Sequence, residues 1–165
     1  MVANYATSPI ALIEDIYTAD VPGTANLPRN CDCELAEFVN ATTGMATQVI
    51  QVRAFEFACR LVRLAQALSQ RGFGARHIAS QLVTAGTSVG ANCEEAEEGQ
   101  TKADFIAKLS ISRKEARETI FWLRLALATN IVTEAEIAWE LDEARQLRAM
   151  LIAAIKKAQS STSRG

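Results

Sequence analysis

The chain has one histidine, His77, and four cysteines, Cys31, Cys33, Cys59 and Cys93. A Ser–His or Cys–His nucleophile needs its imidazole within hydrogen-bond reach. If one helix carries both His77 and Cys93, about 24 Å separates them at ~1.5 Å per residue. That pair cannot act together within one subunit. The cysteines show no metal-ligand pairing of spacings, and Cys59 and Cys93 fall inside helical patterns, where a reduced buried thiol is the plain reading. A carboxylate-bridged di-iron site would need Glu-x-x-His pairs on two helices, and His77 has no Glu at that spacing before it.

The stretch "AGTSVGANCEEAEE" (85–98) raises two further possibilities. Its glycines could belong to a phosphate loop, but no strand precedes them and the spacing Gly86-x-x-x-Gly90 fits neither common phosphate-loop pattern. On a helix, that spacing puts both glycines on one face and lets another backbone approach closely. The reading is close packing, at a cost to the helix of roughly 1 kcal/mol per glycine relative to alanine. The small face is expected to meet Ser112, Ala116 and Thr119 of the next helix. Glu94, Glu95, Glu97 and Glu98 offer hard oxygens of the kind Ca²⁺ and Mg²⁺ take. A solvated face, or pairing with a basic neighbouring subunit, is the preferred reading. No catalytic residue, cofactor site or metal ligand is assigned.

One cationic group remains. Arg113, Arg117 and Arg124 share a helical face, with Lys114 beside them. Such a stripe can hold phosphates, and it is the candidate nucleic-acid surface. Glu115 and Glu118 lie within three- or four-residue reach, so intrahelical ion pairing is expected to neutralise much of it.

The elements that must position these residues follow from hydrophobic period. The 165 residues allow one domain, with 49% hydrophobic and 22% charged residues. Charge is uneven: residues 1–44 hold one basic residue, Arg29, against six acids, and the remainder is mildly basic. No basic residue precedes Arg29 and no apolar run is long enough to span a membrane, which points to a cytoplasmic protein.

From about residue 46 the apolar period is helical throughout. The first stripe is Ile50, Ala54, Phe57, Leu61, Leu64 and Leu68, ended by "RGFG" at 71–74. The second is Ile78, Leu82, Ala85, Val89, Asn92 and Ala96. Thr101 with Asp104 forms a capping pattern before the third, Phe105, Leu109, Ser112, Ala116, Thr119, Leu123 and Ala126. Thr133 with Glu136 repeats it before the fourth, Ile137, Leu141, Ala144, Leu151 and Ile155. Four long helices with short links predict an all-α, up-down-up-down antiparallel four-helix bundle over residues 45–160. Residues 1–44 read as an irregular N-terminal extension, loosely docked or disordered. Residues 161–165 read as a frayed tail. Met45 is a candidate biological start.

The run "SQLVTAGTSVGANCEEAEEGQTKADFIAKLSISRKEARETIFWLRL" (80–125) resembles the four-helix bundle proteins first noticed in intervening sequences of bacterial 23S ribosomal RNA genes. The likeness extends more weakly from about Phe55 to Ala158. That family is similar in fold to the accessory protein of diversity-generating retroelements. The resemblance implies a homo-oligomer, with a ring of five, and brings no established biochemical activity with it. Its retroelement relatives are tied to nucleic acid and are strongly basic, which this chain is not.

Apolar residues outside the core stripes agree with self-association: Phe55 on the first helix, Phe121, Trp122 and Leu125 on the third, and Trp139 on the fourth. The resulting expectation is a non-enzymatic homo-oligomeric scaffold or adaptor without cofactor or membrane. Its alternative is an accessory protein that binds RNA or DNA weakly.

Overall fold

A computed structural model of the protein describes residues 43–160. The expectations for the extension through residue 42, with Cys31 and Cys33, and for the tail 161–165 lie outside the described residues. Four helices fill the rest: α1 (Thr43–Ser69), α2 (Phe73–Glu97), α3 (Lys102–Ala128) and α4 (Glu134–Ser160). The described residues contain no strand.

Local chemistry sets the breaks. Gly72 precedes α2 with φ +115°, a conformation that side chains other than glycine rarely adopt. Thr101 caps α3 by accepting from the Asp104 amide at 3.1 Å, which satisfies one of the helix's orphan donors. Before α4 the roles are reversed, since the Glu136 carboxylate accepts from the Thr133 amide at 2.8 Å. Arg71, just past α1, donates to the same carboxylate at 2.5 Å. The guanidinium and the Thr133 donors hold the Glu136 carboxyl down at about 2. Its folded pKa lies below the ordinary carboxylate range, so this junction is fully formed above that range and is lost as pH falls through about 2.

Cross-helix contacts establish the direction of packing. Leu61 meets Gly86, Ala54 meets Gly90, and Gln51 reaches the Cys93 carbonyl, so α1 and α2 run antiparallel. Lys108 pairs with Glu95, Ser112 donates to the Val89 carbonyl, and Trp122 packs against His77, so α2 and α3 do too. Arg53 with Glu143, Arg60 with Glu140 and Arg71 with Glu136 make α4 antiparallel to α1. Each helix therefore lies beside its sequence neighbours and α4 closes back on α1.

The core is the shared stripe of the four helices. Phe57, Leu61, Leu82, Leu109, Leu123 and Leu151 are fully buried. Several positions depart from the expected pattern, with Leu64, Phe105 and Leu141 of the expected stripes only half-buried. Asn92 is half-buried, its amide donating to the Ser88 carbonyl, and its neighbour Cys93 takes the core position. Leu147 is buried although the pattern omitted it. Glu140 and Glu143 are buried as well.

The glycine face has a different neighbour from the one its spacing suggested. A Cβ on Gly86 would lie 2.1 Å from the Leu61 Cδ1, and one on Gly90 would lie 3.5 Å from the Ala54 carbonyl oxygen. Both belong to α1, not α3. Against α3 the contact is polar instead. The Ser112 hydroxyl donates to the Val89 carbonyl at 2.8 Å and lies 3.2 Å from the Cys93 Sγ.

Candidate nucleic-acid interface

The outward side of α3 carries an open depression of about 780 Å³ lined by Lys114, Arg117, Glu118, Ile120, Phe121, Trp122 and Arg124, with Arg148 contributed by α4. Helical spacing brings 114, 117, 121 and 124 to neighbouring positions on one face. The core stripe of α3 occupies the opposite side, so these side chains point outward. Arg113, on the same sequence stripe, is half-buried and does not line the depression.

The expected neutralisation by Glu115 and Glu118 does not occur. Among the described residues, no ion pair engages Arg113, Lys114, Arg117, Arg124 or Arg148. Glu118 is committed elsewhere, its carboxylate accepting from the Trp122 indole N–H at 3.1 Å. Partial burial, and then the Glu118 charge, push the Glu115 carboxyl above its ordinary value. Four cations thus face one carboxylate around the depression.

An aromatic group sits among the cations. Phe121 is 55% exposed. Its ring meets Trp122 edge-on, with centroids 5.0 Å apart and planes at 73°. Trp122 in turn meets the ring of His77 of α2, at 5.6 Å and 77°. The lone histidine is therefore a packing partner of Trp122.

The remaining candidates are structural. Burial is the main cause that pushes the Cys93 thiol up to about 11, so at neutral pH it is protonated and a poor nucleophile. In the acidic cluster, Glu95 is paired with Lys108, and Gln51 donates to Glu94. No group of three or more His, Cys, Asp or Glu side chains among the described residues is arranged to hold a metal ion. No helix there is long and apolar enough to cross a membrane. Of the residues expected at a subunit interface, Trp122, Leu125 and Trp139 are half-buried against their own core. Trp139 also lies under the Arg60 guanidinium, 4.1 Å from the ring centroid. Phe55 and Phe121 are the more exposed members, at 39% and 55%.

Sequence reasoning missed three residue groups. Arg148 joins the cationic face from a different helix, which no spacing within α3 reveals. Arg53 grips Glu143 with two hydrogen bonds, of 2.8 and 2.7 Å, and also donates to Gln146 at 2.6 Å. Arg60 donates to Glu140 at 2.9 Å. A signal for the last two existed. Glu140 and Glu143 fall among Ile137, Ala144 and Leu151, and carboxylates in a core stripe demand cations.

Residues 47–153 match the family model of the 23S rRNA-intervening sequence proteins. The chain belongs to that family. A solved relative is a protein of unknown function from the S23 ribosomal protein family of Bacteroides thetaiotaomicron VPI-5482. It is 37% identical, and the alignment covers 67% of this chain and 98% of that one, with a TM-score of 0.63. A comparison with curated proteins returns no match. Membership of the 23S rRNA-intervening sequence family accounts for the bundle and assigns no activity to the cationic face.

Proposed function

We propose that the chain is a non-catalytic scaffold that holds nucleic acid against the outer face of α3. The observation that carries this reading is the convergence of Lys114, Arg117, Arg124 and Arg148 on one depression, with no ion-pair partner for any of them among the described residues. Unpaired cations on a rigid helix gain by neutralising phosphates and releasing their counterions. The solved relative carries the name of a ribosomal protein family, which makes RNA the first polymer to test. Contacts to phosphates carry no sequence information, so binding that rests on them is weak and sequence-tolerant. Fluorescence anisotropy of a labelled RNA, titrated with full-length protein from about 25 to 200 mM salt, tests this. Affinity should fall steeply over that range. Binding indifferent to salt would contradict phosphate neutralisation.

A second reading, compatible with the first, is self-association. Val52, Cys59 and Val62 form a second apolar row along α1, on the side away from its core stripe. Burial between copies would remove that row from water. A ring of five, as the resemblance implies, would repeat the α3 face around the assembly, so that weak contacts act together. Light scattering at micromolar concentration should report an oligomer. A monomer would refute self-association, and a dimer only the ring.

A further inference from the structure

We infer that the α3 depression selects single-stranded over double-stranded nucleic acid, because an unpaired base stacks on Phe121 while flanking phosphates meet the surrounding cations. The inference rests on the nucleic-acid reading above and adds the form of the polymer and the residue that recognises it.

Three observations support it. The first is the position of Phe121. Phe73 at the start of α2 is more exposed and Ile111 of α3 is also exposed, but Phe121 is the exposed aromatic ring that stands among Lys114, Arg117 and Arg124. An apolar ring encircled by unpaired cations is a poor centre for a contact between copies of the chain. Covering it would desolvate those charges, and charged residues are depleted from interface cores. It is a good match for a polymer that alternates a flat π surface with a phosphate.

The second is rigidity. The Phe121 ring is braced edge-on by Trp122 at 5.0 Å. Trp122 is fixed in turn by the Glu118 hydrogen bond at 3.1 Å and by the His77 ring. A braced aromatic loses little freedom when a base is laid on it, whereas a freely turning one would lose more.

The third is reach. Lys114 and Arg124 lie about 15 Å apart along the helix at ~1.5 Å per residue, with Phe121 between them and Arg148 to one side. That length suits a short run of nucleotides. In a duplex the base faces are already stacked on one another and closed to the ring, so only the cations find a partner, in the phosphates. In a single strand both contacts form together, and stacking of this kind tolerates any base.

The test uses full-length protein and anisotropy at about 25 mM salt. The probes are a labelled uridine oligomer of about 12 nucleotides and the same oligomer annealed to its complement. Inorganic polyphosphate and poly-glutamate serve as competitors. Single strand should bind at least several-fold tighter than duplex. Phe121→Ala should weaken single-strand binding about tenfold, leave duplex binding and polyphosphate competition unchanged, and keep the wild-type melting temperature. Phe121→Trp should retain single-strand affinity.

Equal binding of single strand and duplex, with Phe121→Ala silent, would overturn the stacking inference while leaving phosphate binding in place. Poly-glutamate competing better than the unlabelled oligomer would overturn it in favour of an acidic peptide. No binding of either RNA form would overturn both the inference and the reading beneath it.

Discussion

Replacing Glu143 with alanine should lower the free energy of unfolding by roughly 2–4 kcal/mol. The Glu143 side chain is 9% exposed and its partner Arg53 is 20% exposed. Removing one member of a buried pair leaves the other charge desolvated without compensation, which typically costs about 3–5 kcal/mol when burial is complete. Residual exposure of Arg53, and its remaining bond to Gln146, bring the figure down. The prediction has a second half. A double replacement, Arg53→Met with Glu143→Leu, should recover most of the loss, because apolar side chains of similar volume carry no desolvation penalty there. Urea unfolding of the two variants against wild type measures both. If Glu143→Ala stays within about 0.5 kcal/mol of wild type, the pair does not hold α1 to α4.

The second large effect separates two glycines that the sequence presents as equivalent. Gly86→Ala should destabilise by up to about 2 kcal/mol, whereas Gly90→Ala should be neutral or stabilise by up to about 1 kcal/mol. Both changes gain the helix preference of alanine over glycine, about 1 kcal/mol. At Gly90 the new methyl would meet the Ala54 carbonyl at 3.5 Å, an ordinary contact. At Gly86 it would overlap the Leu61 Cδ1 at 2.1 Å, with the Cγ and Cβ at 3.3 and 3.4 Å. Leu61 is fully buried, so its methyl can move only by disturbing other core side chains. Such overpacking costs about 1–3 kcal/mol, which cancels the helix term at its lower end and exceeds it above that. Equal stability of the two variants would mean that α1 and α2 are not in this close register.

What could be read from the chain beforehand divides along physical lines. The 3.6-residue period reports which residues share a face, and Ile50, Leu61, Leu82, Leu109 and Ile137 are all in the core where it put them. Period does not report which neighbour a face meets. A middle helix such as α2 has one on each side, and Gly86 was therefore assigned to α3 although Leu61 of α1 occupies its place. Adjacent positions on a stripe edge are equally hard to separate, as Asn92 and Cys93 show.

The candidate site was half legible for the same reason. Lys114, Arg117 and Arg124 stand at helical spacing and could be found, whereas Arg148 required the register of α4 against α3. The expected neutralisation by Glu118 failed because spacing permits an ion pair without choosing among acceptors' partners, and the Trp122 indole took that carboxylate. Helical period places Phe121 outside the core stripe, but it does not single out Phe121 as the residue that stays exposed. Trp122 and Leu125 beside it fit the same outward apolar pattern and pack against the core instead.

Charge reversal tests the central claim most directly. Arg117, Arg124 and Arg148 line the depression, have no ion-pair partner among the described residues, and can be changed to glutamate without entering the core. The full-length triple variant should melt like wild type and lose RNA binding in anisotropy at about 25 mM salt. Its residual affinity should no longer depend steeply on salt. Unchanged RNA affinity in a folded triple variant would contradict the account and move any nucleic-acid surface off the outer face of α3.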